Sequence, residues 1–222
     1  MLSDEDIVRG AVTGHHAPSH NDEIGYASEM GENYAPVDEQ QAVMGENDIG
    51  FNYYMYPTLH RMALSKARLK FTIGPAGSAK TSGIIWTLLL QAIMQEPAAD
   101  GVRYSRALVA RNTNSMLRST TIPSFKTMVG NLMTFRTGSF PMMAHARFEL
   151  NDGTKVHFDV EFLSFDDEKS QNKLLGCEPT FGFIDELSEF PESLVFAIDR
   201  RLGRYPSGRF GKATWVGLFG AT

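Results

Sequence analysis

Gly74-Pro75-Ala76-Gly77-Ser78-Ala79-Lys80-Thr81 constrains this chain more than any other stretch. It has the Gly-x-x-x-x-Gly-Lys-Thr layout, with Ala79 in place of the second glycine. A loop of small residues lets backbone N–H groups wrap a phosphate, and a helix starting at its end aims its dipole at the same anion. In such a loop Lys80 neutralises β/γ charge and the Thr81 hydroxyl reaches Mg²⁺, which makes the whole segment a candidate ATP site. The flanks agree. Arg68 to Ile73 alternates and is β-prone, and Ser82 to Gln95 is apolar over the length of a buried helix before Pro97 and Gly101. Ala79 is a mild departure, because its methyl restricts φ and the approach to a phosphate. The bland alternative is a chance Gly/Ala-rich turn.

A second motif lies downstream. Phe181-Gly182-Phe183-Ile184 reads as a buried strand and ends in Asp185-Glu186. Carboxylates at the tip of a parallel strand lie where open α/β sheets bind ligands. Asp185 is the candidate Mg²⁺ ligand, direct or through water, and Glu186 the candidate base that polarises and orients an attacking water. Alone, the pair reads equally well as a solvated acidic turn. Behind a phosphate loop it points to phosphoryl transfer.

The remaining pattern is that of an α/β chain. A helix is predicted from Thr58 to about Lys66, a short strand at Ala107–Ala110, and a helix from the cap at 112–115 to about Val129, disturbed at Pro123. Arg147–Leu150 and Thr154–Phe158 flank Asn151-Asp152-Gly153, whose Asp-Gly pair favours a tight turn. A helix follows Pro191 and runs through Leu194–Leu202, and Ala213–Phe219 reads as the last strand. Strands alternating with helices indicate a mostly parallel sheet. A chain that stops just after a buried strand suggests the N-terminal piece of something longer.

Composition matters where it splits. Residues 1–50 hold eleven carboxylates against Arg9 alone, a balance of −10, so residues 51–222 carry +5 within a net charge of −5. The first fifty residues lack sustained periodicity and read as a mobile acidic arm, either a solubilising tail or a segment that mimics nucleic acid or meets a neighbouring subunit. A whole-chain pI near 5.7 would argue against a nucleic-acid partner, and the balance of residues 51–222 does not. The aromatic run Phe51 to Tyr56 is either an adenine platform or a hydrophobic plug. The single cysteine, Cys177, excludes a disulfide framework and reads as a buried side chain without catalytic work. No metal-ligand spacing links the six histidines, no apolar run approaches a membrane span, and the first residues lack a signal-peptide pattern; a soluble intracellular protein fits.

From about Phe51 to Thr222 the chain resembles the ATPase domain of the large terminase subunit of tailed bacteriophages. The resemblance is carried by the Gly74–Thr81 loop, Val109-Ala110-Arg111-Asn112-Thr113, the hairpin at Asn151-Asp152-Gly153-Thr154, and Lys173-Leu174-Leu175-Gly176-Cys177-Glu178 leading into Phe183-Ile184-Asp185-Glu186. Arg200-Arg201-Leu202-Gly203-Arg204-Tyr205-Pro206 adds to it. It implies an ASCE-type P-loop NTPase fold: a central, mostly parallel sheet flanked by helices, with a β-hairpin insertion and the last strand between those carrying the loop and the acidic pair. It implies ATP and Mg²⁺, and Thr222 in a coupling motif that senses the γ-phosphate. It also implies a ring of subunits that drives double-stranded DNA into a procapsid, in the cytoplasm of an infected bacterium. The partners implied are the portal protein, on which the ring docks during packaging without entering the mature virion, and the small terminase subunit. Relatives carry a C-terminal nuclease, for which this chain shows no acidic metal cluster. A helicase-like ATPase and a nucleotide-regulated assembly module are the rival readings.

One departure concerns the arginine that many relatives place beside a glycine before the acidic strand, where it serves a neighbour's ATP. Here that place reads Leu175-Gly176, with Lys173 upstream, and Arg200, Arg201 and Arg204 are the alternatives beyond Glu186. Lysine is a point charge without arginine's planar fork, so the finger is unassigned. Arg111 is placed to approach either nucleotide or DNA.

Overall fold

The computed structural model of the chain describes residues 51, 55–138, 140–166 and 168–222, with the side chains of 168–171 excepted. The acidic segment 1–50 and residues 52–54 of the aromatic run lie outside the described residues, and so do the expectations placed on them.

Seven strands make one sheet: β1 (Leu69–Thr72), β2 (Val102–Arg111), β3 (Met133–Arg136), β4 (Met142–Glu149), β5 (Lys155–Ser164), β6 (Phe181–Asp185) and β7 (Leu218–Ala221). Their order is β1-β7-β6-β2-β5-β4-β3, parallel from β1 to β5 and antiparallel at the β5–β4 and β4–β3 pairs. The expected place of the last strand holds: β7 lies between the strand that leads into the phosphate loop and the strand that ends in Asp185.

β7 fits there because it is small where it must be. A side chain on Gly220 would come within 2.8 Å of the Phe71 ring and 2.9 Å of Leu187. The strand begins later than its apolar pattern suggests. Residues 213–217 are irregular, with the Trp215 indole laid against Phe181 and Phe219 instead of alternating across a strand.

β2 is longer than its apolar core, Ala107–Ala110. Its polar first half is held by distant partners: Arg103 donates to Asp152, Thr154 and the carbonyls of Ile93 and Gln95, and β5 pairs with all ten positions. Because β5 joins β2 on one edge and β4 on the other, the hairpin continues the main sheet. Its turn places Gly153 at φ 79°, a conformation that favours glycine. The edge strand β3 was not anticipated from the sequence.

Helices α1 (Pro57–Leu64) and α2 (Lys80–Ile93) come before β2. Nine residues of α2 are buried, from Gly83 to Leu90 and at Ala92, which is why its sequence is apolar all round. Between β2 and β3, Thr113 caps a helical turn at Asn114–Met116 by accepting from the Met116 N–H. The expected disturbance is a π-helical turn, Leu117–Thr121, just before α3 (Ile122–Val129). Pro123 offers no N–H and crowds the carbonyl one turn back, and a widened turn relieves both. Helix α4 (Glu192–Asp199) starts at Pro191 and lays Leu194 and Ile198 against Leu108, Ala110, Ile184 and Leu218. Among the described residues no helix is long and apolar enough to cross a membrane.

Lys70 on β1 is the anomaly of the core. It is 5% exposed, with its ammonium 4.2 Å from the Trp215 ring centre and 5.0 Å from that of Phe219. Its Nζ has no hydrogen-bond partner among the described residues. Burial pushes its pKa down to about 8. Between that value and the ordinary lysine value the unfolded chain binds more protons, so stability rises with pH across this window and carries the full charge penalty below it. Lys70→Met is therefore expected to gain most in stability at pH 7 and least near pH 10. Urea unfolding at the two pH values checks this, and an unchanged difference would show that burial does not lower the Lys70 pKa.

Candidate active site

The phosphate loop joins β1 to α2, as its sequence requires. Lys80 folds back over it: Nζ donates to the Gly74 carbonyl at 2.6 Å, the Pro75 carbonyl at 2.7 Å and Ser78 Oγ at 3.0 Å. Ser78 Oγ in turn donates to the Pro75 carbonyl at 2.8 Å. Ala79 is the N-cap of α2 at φ 57°, ψ 17°, and no side chain caps this end. The first N–H groups of the helix, which have no acceptor within it, therefore point toward the loop with the positive end of the dipole.

Asp185 ends β6, with only 6% of its surface exposed. Oδ1 accepts from Thr81 Oγ1 at 3.2 Å and Oδ2 from Thr121 Oγ1 at 2.6 Å. A hydroxyl and a carboxylate side by side are the hard oxygen donors that Mg²⁺ takes, so this pair fits that ion. Glu186 follows at φ 57°, ψ 63°, its carboxylate half-exposed beyond Asp185. Ala79 and Glu186 are the only non-glycine residues with positive φ among the described residues. A side chain in this conformation costs roughly 1–2 kcal/mol, and such strain gathers at functional sites.

The tip of β7 completes the site. The Thr222 N–H donates to the Thr72 carbonyl and its carbonyl accepts from the Gly74 N–H, both at 3.1 Å. Its hydroxyl lies 2.6 Å from Ser188 Oγ, in the short 3₁₀ turn Leu187–Glu189. Thr222 thus touches the start of the phosphate loop and the turn after Glu186 together.

The finger candidates sit elsewhere. Arg201 donates to the carbonyls of Leu175 and Cys177, which ties the end of α4 to the 3₁₀ run Glu168–Gly176. Lys173 donates to the Ser164 carbonyl at 3.3 Å. Arg200 is exposed and reaches the Phe196 carbonyl, and Arg204 is exposed. Cys177 is buried, and burial pushes its thiol up to about 12, which keeps it inert. Phe51 is buried and stacked on Tyr56.

Sequence reasoning missed Thr121 and the turn residues Ser188 and Glu189. Thr121 lies in the π-helical turn and is joined to Asp185 across 64 residues, so no local pattern marks it. Arg111, read as an approach to nucleotide or DNA, is buried beside Asp185.

A phosphate loop between β1 and a buried helix, an acidic strand tip and an inserted last strand define a P-loop NTPase fold. No family model matches the sequence, and no curated protein matches it. Among solved structures, the chain is similar to the large terminase of the thermophilic bacteriophage D6E, with a TM-score of 0.55 and 17% identity over 74% of this chain and 38% of that one. The ADP complex of that D6E terminase in another crystal form matches with a TM-score of 0.52 and 17% identity, over 74% and 37% of the two chains. The fold is thus shared with the D6E large terminase, and the chain spans less than two-fifths of that protein's length.

Thr121 supplies a buried bond to a buried carboxylate. Replacing it with valine keeps the shape and leaves one Asp185 oxygen without its donor, at an expected cost of about 1–3 kcal/mol. Thr121→Ser should retain most of the stability. Urea denaturation of both variants checks this, and equal stabilities would show that the hydroxyl does not hold Asp185.

Proposed function

We propose that residues 51–222 form the ATP-hydrolysing domain of a DNA-packaging motor of the large-terminase kind. The observation that carries this is the 3.2 Å contact between Thr81 and Asp185, which joins the phosphate loop to the acidic strand tip across 104 residues. The fold likeness to the D6E terminase and the ADP held by one of its structures support the same reading.

In this reading the residues have separate tasks. The loop from Gly74 to Ala79 and the first N–H groups of α2 receive the phosphates of ATP. Lys80, with three rotatable donors, exchanges its loop carbonyls for β/γ oxygens. Thr81 and Asp185 hold Mg²⁺, which supplies charge neutralisation at the transferred group. Glu186 orients the attacking water and takes its proton. Thr222, joined to the loop and to Ser188, passes the loss of the γ-phosphate onward. The motor acts on double-stranded DNA without base readout, as a ring docked on the portal of a procapsid, in the cytoplasm of an infected bacterium. The small terminase subunit is a further partner, and one of Lys173, Arg200, Arg201 and Arg204 serves a neighbour's ATP.

Glu186→Gln keeps the side chain's size and removes the base. ATP binding is expected to stay within about threefold of wild type while turnover falls at least about a hundredfold. The rate of hydrolysis per subunit should climb with protein concentration and with linear double-stranded DNA if a neighbour completes the site. Turnover by the glutamine variant at the wild-type rate would remove Glu186 from the mechanism.

A further inference from the structure

Between Asp100 and Glu149 the sequence has no carboxylate, in a stretch where the chain's 26, spread evenly, would place several. The same 48 residues hold seven cations. Four are engaged by the fold: Arg103 with Asp152, Arg106 against the Tyr205 ring, Arg111 beside Asp185 and Arg147 with Asp159. The other three, Arg118, Lys126 and Arg136, are exposed. Among the described residues none of these three lies within 4.0 Å of a carboxylate.

The fold sets two of these charges in one strip. Along the π-helical turn and α3, Leu117, Thr121, Ile122, Phe125 and Val129 are buried, while Arg118, Ser119, Lys126 and Thr127 are exposed. Arg118 Nε donates to Asn114 Oδ1 and Nη1 to the Thr137 carbonyl, both at 2.8 Å. Lys126 Nζ stands 5.7 Å from the Phe135 ring centre. Phe135 and Thr137 are two residues apart, about 7 Å in extended chain, so the two charges are held side by side along β3. β3 is an edge strand, and Arg136, on its other face, adds a charge at the rim. From Arg118 to Thr137 no large apolar side chain is exposed.

Cations beside hydroxyls, with no carboxylate and no apolar centre, match a phosphate backbone, whose oxygens accept from Arg, Lys, Ser and Thr alike. A protein partner fits less well, because the centre of a protein interface is apolar and depleted of charge. We propose that the outward face of residues 118–136 is the surface on which the motor holds the backbone of double-stranded DNA, with Arg118 and Lys126 each at a phosphate and Arg136 at the rim. This rests on the DNA-motor reading given above and supplies the residues for its grip. Thr121, on the buried side of the same turn, donates to Asp185 at 2.6 Å, so the grip and the metal-binding carboxylate share one helical stretch.

The test is binding of a labelled linear duplex by the full chain with a nonhydrolysable ATP analogue, read by fluorescence anisotropy between about 50 and 200 mM salt. Arg118→Gln combined with Lys126→Gln should weaken binding at least about fivefold and flatten the slope of log K against log salt by about 1.8, since each phosphate contact contributes about 0.9. The loss should be equal on two unrelated sequences, because phosphates carry no sequence information. Arg61→Gln combined with Arg209→Gln removes two exposed cations outside the acid-free stretch and should leave affinity within about twofold. Thermal melting, ADP affinity and hydrolysis without DNA serve as fold controls for both pairs. A loss below fivefold in the first pair overturns the inference, as does an equal loss in the second. Polyglutamate that displaces the duplex as well as unlabelled DNA does at equal charge also overturns it, and assigns the surface to an acidic protein. Should Arg118→Gln fail to melt cooperatively, Lys126→Gln combined with Arg136→Gln decides by the same criteria. A wild-type chain that hydrolyses ATP but binds no duplex at any of these salt concentrations removes the DNA-motor reading and this inference with it. Salt-dependent binding by wild type that neither pair weakens overturns the inference only.

Discussion

The contact between Thr81 and Asp185 depends on a strand to which neither belongs. β1 and β6 are each one place away from β7, and strands lie roughly 4.8 Å apart, so the loop strand and the acidic strand are about 10 Å apart with β7 between them. The start of α2 crosses the tip of β7 to reach Asp185. The crossing is anchored from below, because Thr222 donates to Thr72 and accepts from Gly74. Gly220 keeps the strand thin enough for Phe71 and Leu187 to close over it. Since β7 is the last strand and β1 the first, this pairing joins opposite ends of the sheet in sequence and carries a large loop-closure cost. The site is assembled by completion of the sheet.

This explains what was legible in the residues and what was not. The phosphate loop and Asp185-Glu186 announce themselves because their chemistry is local: small residues where a backbone must approach an anion, and carboxylates at the end of an apolar run. The Asp152-Gly153 turn was equally local, since a positive φ at residue 153 needs only its own residues. The first half of β2 was hidden because Arg103 looks like surface until Asp152 and Thr154 are brought to it from the hairpin. The start of β7 was misplaced for a related reason: Trp215 is apolar, but it packs across the sheet face on Phe181 and Phe219. Thr121 is the same failure at the site. It matters through Asp185, and nothing near it in sequence mentions Asp185.

The two strained residues show how the site keeps its shape. Ala79 and Glu186 both adopt a left-handed conformation, and each opens a helical turn that closes directly behind it. The Ala79 carbonyl accepts the Gly83 N–H at 2.8 Å, and the Glu186 carbonyl accepts the Glu189 N–H at 3.0 Å. Neither residue can relax to an ordinary backbone conformation without opening its turn. For Ala79 that turn is the start of a helix buried along most of its length, so the strain of one methyl group is small beside the packing that holds it.

For Glu186 the closing turn is only three residues long, and its stability comes from side chains at its edges. Ser188 reaches Thr222 at the tip of β7, Glu189 faces Arg111 at the tip of β2, and Leu187 packs into the apolar cluster beneath α4. The direction of the Glu186 side chain is therefore set by a turn with one contact on each neighbouring strand tip. A displacement of β7 at Thr222 or of the Arg111 guanidinium shifts the same turn, and with it the same carboxylate. A short turn with two such supports can be biased from either side, whereas the loop around Lys80 is also closed by bonds of its own.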